Sequence, residues 1–343
     1  MRWAILLAGG SGTRFWPLST PKMPKQLLPL AGSGSTAEEA IERLTGLIPR
    51  DRVLVVAGQA LADPLRRLLP LPPENILVEP RAASTAPALI WATWEARRRD
   101  PDAEMLSLHA DWAVGDAAAF RRVADMALST ARTHDRLVTV GVVPSRPETG
   151  YGYIVPGAPL DEDAKTVARF SEKPDAARAL DLMAAGALWN SGLFAWTAER
   201  LLAEVRRHTP EVASAIPALE RGDVAGFFRE VTSISIDVGL LERSAAVAVV
   251  SGSFSWDDVG TWQALSRVRP KDPSGNVLVG EGRLHDTHDC IVWSDRDPII
   301  LYGVKDLVVV QANGRILVMP TERAAAMKQL LDALPAEIRD IDT

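Results

Sequence analysis

The chain has 343 residues, 47% of them apolar and 24% charged, with a net charge of −6. A chain of this length buries enough surface to fold without a disulfide or metal, and its composition excludes the disordered, collagen-like and coiled-coil classes. The single cysteine, Cys290, excludes an intrachain disulfide and a cysteine-rich zinc site. The negative balance gives no global attraction to nucleic acid or an anionic membrane, so an anionic substrate must be held by local cations.

Met1-Arg2 precedes an apolar stretch, as in a signal peptide, but that stretch is short and runs into Gly9-Gly10-Ser11-Gly12 and Arg14. A buried first strand fits better. No apolar run approaches the ~20 residues of a membrane span. The sequence therefore predicts a soluble, cytoplasmic protein with neither nucleic acid nor membrane as partner.

In chain order, residues 3–8, 53–57, 75–79, 105–108 and 137–143 are short apolar runs that suit strands buried on both faces of a sheet. Between them, residues 38–47, 61–69, 86–99 and 117–133 read as helices covering it. This alternation predicts an α/β, Rossmann-like doubly wound mixed sheet. From about 150 to 266, strand-like pieces (153–155, 167–172, 188–196, 247–250) and helical ones (175–185, 198–207) read as an elaboration of the same sheet. Composition shifts after Lys271-Asp272-Pro273, predicting a domain of residues 1–272 and a small β-rich domain of 273–343. Its strands are expected at 276–279, 291–293, 299–302, 307–311 and 316–319. A closing helix is expected over 321–334, with Thr321 as N-cap. His285-Asp286-Thr287-His288-Asp289 reads as a polar hairpin turn, not a metal site.

The strongest chemical signal is Leu7-Ala8-Gly9-Gly10-Ser11-Gly12-Thr13-Arg14, continued by Phe15-Trp16-Pro17-Leu18-Ser19 and Pro24-Lys25-Gln26. Glycines let backbone amides approach phosphate oxygens closely. Arg14 adds a planar fork and Lys25 a point charge. The pattern is neither a Walker A loop nor a Gly-x-Gly-x-x-Gly fingerprint.

At these residues the chain resembles the sugar-nucleotide pyrophosphorylases, a nucleotidyltransferase family. Phe170-Ser171-Glu172-Lys173-Pro174 resembles a family motif whose lysine holds the sugar phosphate. Thr149-Gly150-Tyr151-Gly152-Tyr153-Ile154 and Trp189-Asn190-Ser191-Gly192 resemble its sugar-contacting loops. Trp256-Asp257-Asp258-Val259-Gly260-Thr261-Trp262 resembles the motif whose aspartate binds Mg²⁺. Ser235-Ile236-Asp237 adds to a likeness with the guanylyl-transferring branch that acts on mannose 1-phosphate.

The resemblance implies Arg14, Lys25, Asp111, Lys173 and Asp258 as catalytic residues, with Asp111 and Asp258 on Mg²⁺. GTP would lie along Leu7, Ala8, Gly9, Gly10, Gly12, Thr13 and Arg14, with Glu79, Ser84 and Thr85 near the base. The sugar phosphate would meet Gly150, Tyr151, Gly152, Glu172, Lys173 and Asn190. The Asn190 amide is expected to both donate and accept. Two departures from the family pattern stand out: Leu108-His109-Ala110-Asp111-Trp112 where Pro-x-Asp-His is usual, and Ser84 where asparagine is usual. Trp189 and Trp256 are expected to wall the sugar pocket, and Asp257 to be a bystander beside Asp258.

The chemistry suits these residues independently. Nucleotidyl transfer needs positioned reactants and neutralised charge, and a sugar phosphate is already an anionic nucleophile needing no general base. The leading expectation is transfer from GTP to mannose 1-phosphate by a homodimer. The alternatives are the same chemistry with another sugar or base, such as glucose 1-phosphate thymidylyl or uridylyl transfer, and a non-catalytic regulatory paralogue. Long relatives carry a further isomerase domain that 343 residues are too few to include.

Overall fold

A computed structural model describes residues 1–10 and 12–340; Ser11 of the glycine cluster lies outside the described residues. The chain packs as two units. The first comprises Met1–Gly9, Ile41–Ala110 and Asp116–Trp256, and the second Gly10–Ala40, Asp111–Gly115 and Asp257–Thr343.

The first unit is built on one sheet. Its strands are β1 Arg2–Ala8, β2 Val53–Gly58, β3 Ile76–Glu79, β4 Glu104–His109, β5 Leu137–Val142, β6 Tyr153–Pro159, β7 Ala164–Ser171, β8 Leu188–Thr197 and β9 Val247–Gly252. They lie in the order β3-β2-β1-β4-β8-β5-β9-β7-β6. Strands β1 to β4 are mutually parallel, and β8 runs antiparallel to both β4 and β5. The expected mixed α/β sheet is thus present, and the strands from the middle of the chain extend it. Strand order reverses at the β1/β4 junction, the kind of position where open α/β sheets bind ligands at strand C-termini.

The α-helices of eight residues or more are α1 Thr36–Arg43, α2 Gln59–Leu68, α3 Thr85–Arg99, α4 Ala117–Thr133, α5 Ala176–Ala184 and α6 Ala198–His208. Helix α1 starts ahead of the expected residue 38 and spans the change of unit after Ala40. Ser35 and Glu38 set its start, because each side chain accepts from the other's backbone N–H, at 3.2 and 3.0 Å. Asp116 caps α4 by accepting from the Ala118 and Ala119 amides. On one sheet face, Trp3, Ile5 and Leu7 pack with Leu54, Val56, Leu89, Phe194 and Trp196. Ala4, Leu6 and Ala8 of β1 are buried on the other face, so the strand is covered on both sides.

The second unit has its own core, drawn from distant stretches. Phe15, Trp16, Leu18 and Leu28 pack with Trp262, Leu265, Trp293, Val310, Met319 and Met327. Trp262 is central: its ring lies 5.2 Å from Phe15 and 6.0 Å from Trp293, and its indole N–H donates to the Trp16 carbonyl. The Arg269 guanidinium donates to the carbonyls of Pro29, Leu30 and Gly32, pinning the segment that follows Lys25.

Strands β10 Val277–Val279, β12 Ile291–Ser294 and β14 Leu307–Ala312 pair in parallel, with β15 Arg315–Pro320 antiparallel at the edge. Strands β11 Gly282–His285 and β13 Ile299–Tyr302 form a second parallel pair. This corrects the hairpin expected at residues 285–289. The chain turns a corner there, from β11 in one sheet to β12 in the other, using positive φ at Asp286 (48°) and Asp289 (51°). Aspartate tolerates that backbone better than most residues do. Residues 321–334 are also not one helix. A 3₁₀ stretch, Thr321–Ala326, precedes the α-helix Met327–Ala333, and the buried Thr321 hydroxyl makes no hydrogen bond, so it caps nothing.

Candidate active site

In the second unit, the glycine loop folds onto Lys25. Gly12 has φ 61°, and a Cβ there would lie 2.8 Å from the Lys25 backbone N, so the loop needs a glycine at this point. The Ser19 hydroxyl closes the loop by donating to the Gly12 carbonyl at 2.7 Å. Thr13 and Arg14 stand exposed on the turn that Gly12 caps.

The Lys25 ammonium binds the Asp111 carboxylate at 2.8 Å and the Asp258 and Val259 carbonyls at 3.3 and 3.4 Å. It therefore draws Asp111 and the Asp258 loop together across more than a hundred residues of sequence. Asp257 is committed elsewhere. Its buried carboxylate takes a two-pronged contact from Arg267, at 2.5 and 3.0 Å, and accepts from the Val259 amide at 2.9 Å. Those bonds hold Val259 at φ 45°, which costs a β-branched residue roughly 1–3 kcal/mol. Trp112, where the family has histidine, is buried.

In the first unit, Leu7 and Ala8 end β1, Gly9 is exposed, and Glu79 ends β3 beside Gly58 of β2. Glu79 Oε1 is buried without a hydrogen-bond partner, and burial pushes the carboxyl from 4.5 up to about 7. The folded protein thus holds this proton more tightly than the unfolded chain does. Ionising Glu79 as pH rises from 4.5 through 7 therefore costs stability. Replacing Glu79 with Gln is expected to raise Tm over wild type by about 2–4 °C at pH 8, and by less at pH 5. Thermal melts at the two pH values check this; a pH-independent difference would contradict it.

Ser84, where asparagine is usual, precedes α3 at φ 67° and makes no side-chain cap. The Thr85 hydroxyl accepts from the Ile236 amide at 2.9 Å, and the Ala86 amide donates to the Ile234 carbonyl at 3.1 Å. The start of α3 is thereby tied to the Ser235-Ile236-Asp237 segment.

The three motifs expected to meet the sugar phosphate are interlaced. The Lys173 amide donates to the Tyr151 carbonyl at 3.2 Å, and the Asn190 amide to the Gly152 carbonyl at 2.8 Å. The Lys173 ammonium lies 2.8 Å from Glu172 Oε1, with its backbone at φ 44°. A Cβ at Gly152 would lie 2.6 Å from Glu172 Oε2, so glycine is what admits this carboxylate. Gly150 is exposed at the mouth of the same loop. Tyr151 meets both Trp189 and Trp256 edge-on, at 5.2 and 5.1 Å, and Arg146 lies 5.0 Å over the Trp189 ring. These rings make a wall beside the motif residues.

Arg146, Thr139 and Asp237 were not among the expected site residues. Asp237 accepts from Asn190 Nδ2 at 2.8 Å, and burial, then the Glu172 charge, raises its carboxyl to about 6. Thr139 gave one legible signal, a polar residue inside the apolar run 137–143.

Known proteins match the chain over most of its length. The nucleotidyl transferase family model matches residues 3–275, and a mannose-phosphate isomerase/GMP-like β-helix domain model matches residues 284–334. A mannose-1-phosphate guanylyltransferase of Klebsiella pneumoniae is 37% identical over 96% of this chain and 73% of its own length. One of Escherichia coli K12 is 36% identical, over 98% of this chain and 74% of its own length. A solved structure from Thermus thermophilus, described as a mannose-1-phosphate geranyltransferase, superposes with a TM-score of 0.89 at 36% identity. It covers 96% of this chain and 98% of its own. The chain belongs to the nucleotidyl transferase family, in its mannose-1-phosphate guanylyltransferase branch.

Proposed function

We propose that the chain transfers a guanylyl group from GTP to mannose 1-phosphate, giving GDP-mannose and pyrophosphate. The observation that carries this reading is the Lys25 ammonium on the Asp111 carboxylate and the Asp258 carbonyl, with the Gly12 turn packed against the Lys25 backbone. A paralogue that only bound sugar nucleotide would have no need of it.

Arg14 and Lys25 balance the charge of the triphosphate, which lies along Leu7, Ala8, Gly9, Gly10, Gly12 and Thr13. Glu79 meets the base: guanine presents two donors, N1–H and N2–H, and an ionised carboxylate is an acceptor-only group with room for both. Ser84 and Thr85 line the same side. Lys173 holds the phosphate of mannose 1-phosphate, while Glu172, Asn190 and the Gly150–Tyr151–Gly152 backbone meet its hydroxyls. A sugar-phosphate oxygen bonds to the α-phosphorus as the α–β bridging P–O bond breaks, and the electron pair leaves with pyrophosphate. The nucleophile is already anionic, so no residue takes a proton.

Asp111 and Asp258 fit a magnesium ion, because both offer hard oxygen donors and this ion is commonly held by one or two carboxylates plus substrate phosphates. When bound, it would neutralise charge on the phosphates.

No helix among the described residues is long and apolar enough to cross a membrane. A cytoplasmic setting, with its reducing chemistry, suits the buried free thiol of Cys290. A homodimer is supported by exposed apolar side chains of the second unit, Ile300 and Tyr302 on β13 and Ile316 and Val318 on β15.

The test is pyrophosphate release with Mg²⁺ across four nucleoside triphosphates and several hexose 1-phosphates. GTP with mannose 1-phosphate is expected to be fastest. Equal or faster release with dTTP or UTP and glucose 1-phosphate would replace this reading with the sister activity.

A further inference from the structure

The Asn190 amide is wired from three sides. Its Oδ1 accepts from the Thr139 hydroxyl at 2.9 Å and from the Gly192 amide at 3.3 Å. Its Nδ2 donates to Asp237 Oδ1 at 2.8 Å. These partners fix which end of the amide is which, because a backbone N–H can only donate and a carboxylate only accept. The carbonyl has two lone pairs and both are used. One N–H remains. Within the protein Asn190 thus both donates and accepts, and what it has left is a single donor.

The backbone explains how this wiring arises. Between the register pairs Thr139–Phe194 and Gly141–Asn190, β8 carries three residues against one on β5. Gly192 lies within this bulge at φ 78°. Such irregularities re-aim side chains next to functional sites. Here the bulge brings the Gly192 amide onto Asn190 Oδ1, and the Ser191 hydroxyl anchors it by donating to the Val140 carbonyl at 2.7 Å. Thr139 is fully buried, so its hydroxyl acts only through Asn190.

We propose that Thr139 and Asp237 are positioning residues that make Asn190 a single hydrogen-bond donor to the sugar 1-phosphate, and that this polarity sets sugar selectivity. The inference rests on the reading that Asn190 contacts the sugar. The sugar side then divides its work: Glu172 accepts from hydroxyls and Asn190 donates to one. An epimer whose hydroxyl at that place must itself donate finds no acceptor on Asn190. Releasing a lone pair of Oδ1 would supply one.

The test uses the full chain with four substitutions, measuring kcat, KM for each substrate, and the ratio of kcat/KM for mannose 1-phosphate over glucose 1-phosphate. Thr139→Val keeps the side chain's shape and deletes the donor. It is expected to raise KM for mannose 1-phosphate about tenfold and narrow the ratio by a similar factor, with KM for GTP and kcat within about twofold. Thr139→Ser restores the hydroxyl and is expected to restore both values. Asp237→Asn removes the obligatory acceptor and is expected to act in the same direction as Thr139→Val. Asn190→Ala separates the two layers of the argument. If it leaves the KM for mannose 1-phosphate unchanged, the contact itself is wrong and the inference falls with it. If Asn190→Ala weakens that substrate while Thr139→Val matches wild type in KM and ratio, the positioning role alone is overturned. Equal losses in Thr139→Val and Thr139→Ser, spread over GTP as well, would mark Thr139 as merely structural and overturn it too.

Discussion

Asp258→Asn is expected to lower turnover by about a thousandfold, while Asp257→Asn leaves turnover within about tenfold of wild type and instead lowers Tm. The two carboxylates are adjacent in sequence but have different partners. Asp257 is buried and holds Arg267 and the Val259 amide. Losing its charge weakens the two-pronged, charge-assisted contact with Arg267 and so is expected to cost stability. Asp258 lies on the loop whose carbonyl meets Lys25, beside the Asp111–Lys25 pair, where the phosphates and a metal are proposed to bind. Steady-state rates and melts of both variants side by side decide the matter. Equal loss of turnover would remove the distinction between them.

Glu79→Gln is expected to lower kcat/KM for GTP by about a hundredfold, and for ITP by much less. A buried acceptor left without donors costs ~1–3 kcal/mol, and a site built for a polar edge discriminates strongly against an analogue lacking it. Guanine offers N1–H and N2–H where inosine's base has no N2 amine. A glutamine carbonyl can accept one donor, but its own amide opposes the second. Wild type is therefore expected to prefer GTP to ITP by about tenfold or more, and the variant to lose most of that preference. An unchanged GTP/ITP ratio in the variant would take Glu79 away from the base.

Much of the first unit was legible because its signals are local. Buried parallel strands read as apolar runs, and residues 53–57 and 137–143 fell within a residue of β2 and β5. The glycine cluster was legible for the same reason, since Gly12 answers to a steric demand made by its own loop. The core of the second unit was not, because Phe15 meets Trp262 and Trp262 meets Trp293 across most of the chain and no periodicity encodes that. The parallel pairing of β11 with β13 was also hidden. Aspartates at left-handed corners look like hairpin turns when only the dipeptides are read. At the sugar motifs the residue types were visible but their polarity was not. Asn190 reads as an amide with two capabilities until Thr139, Gly192 and Asp237 are seen to use three of its bonds.

The proposed reaction is attack by a mannose 1-phosphate oxygen on the α-phosphorus of GTP. It is tested most directly with mannose 1-phosphate carrying ¹⁸O at the bridge between C1 and phosphorus, incubated with GTP, Mg²⁺ and the full chain. Mass spectrometry of the products is expected to show GDP-mannose with the label retained and one pyrophosphate per turnover, because the C1–O bond is never broken. GDP-mannose without the label would place bond breaking at the sugar, and binding without any GDP-mannose would contradict catalysis by this chain.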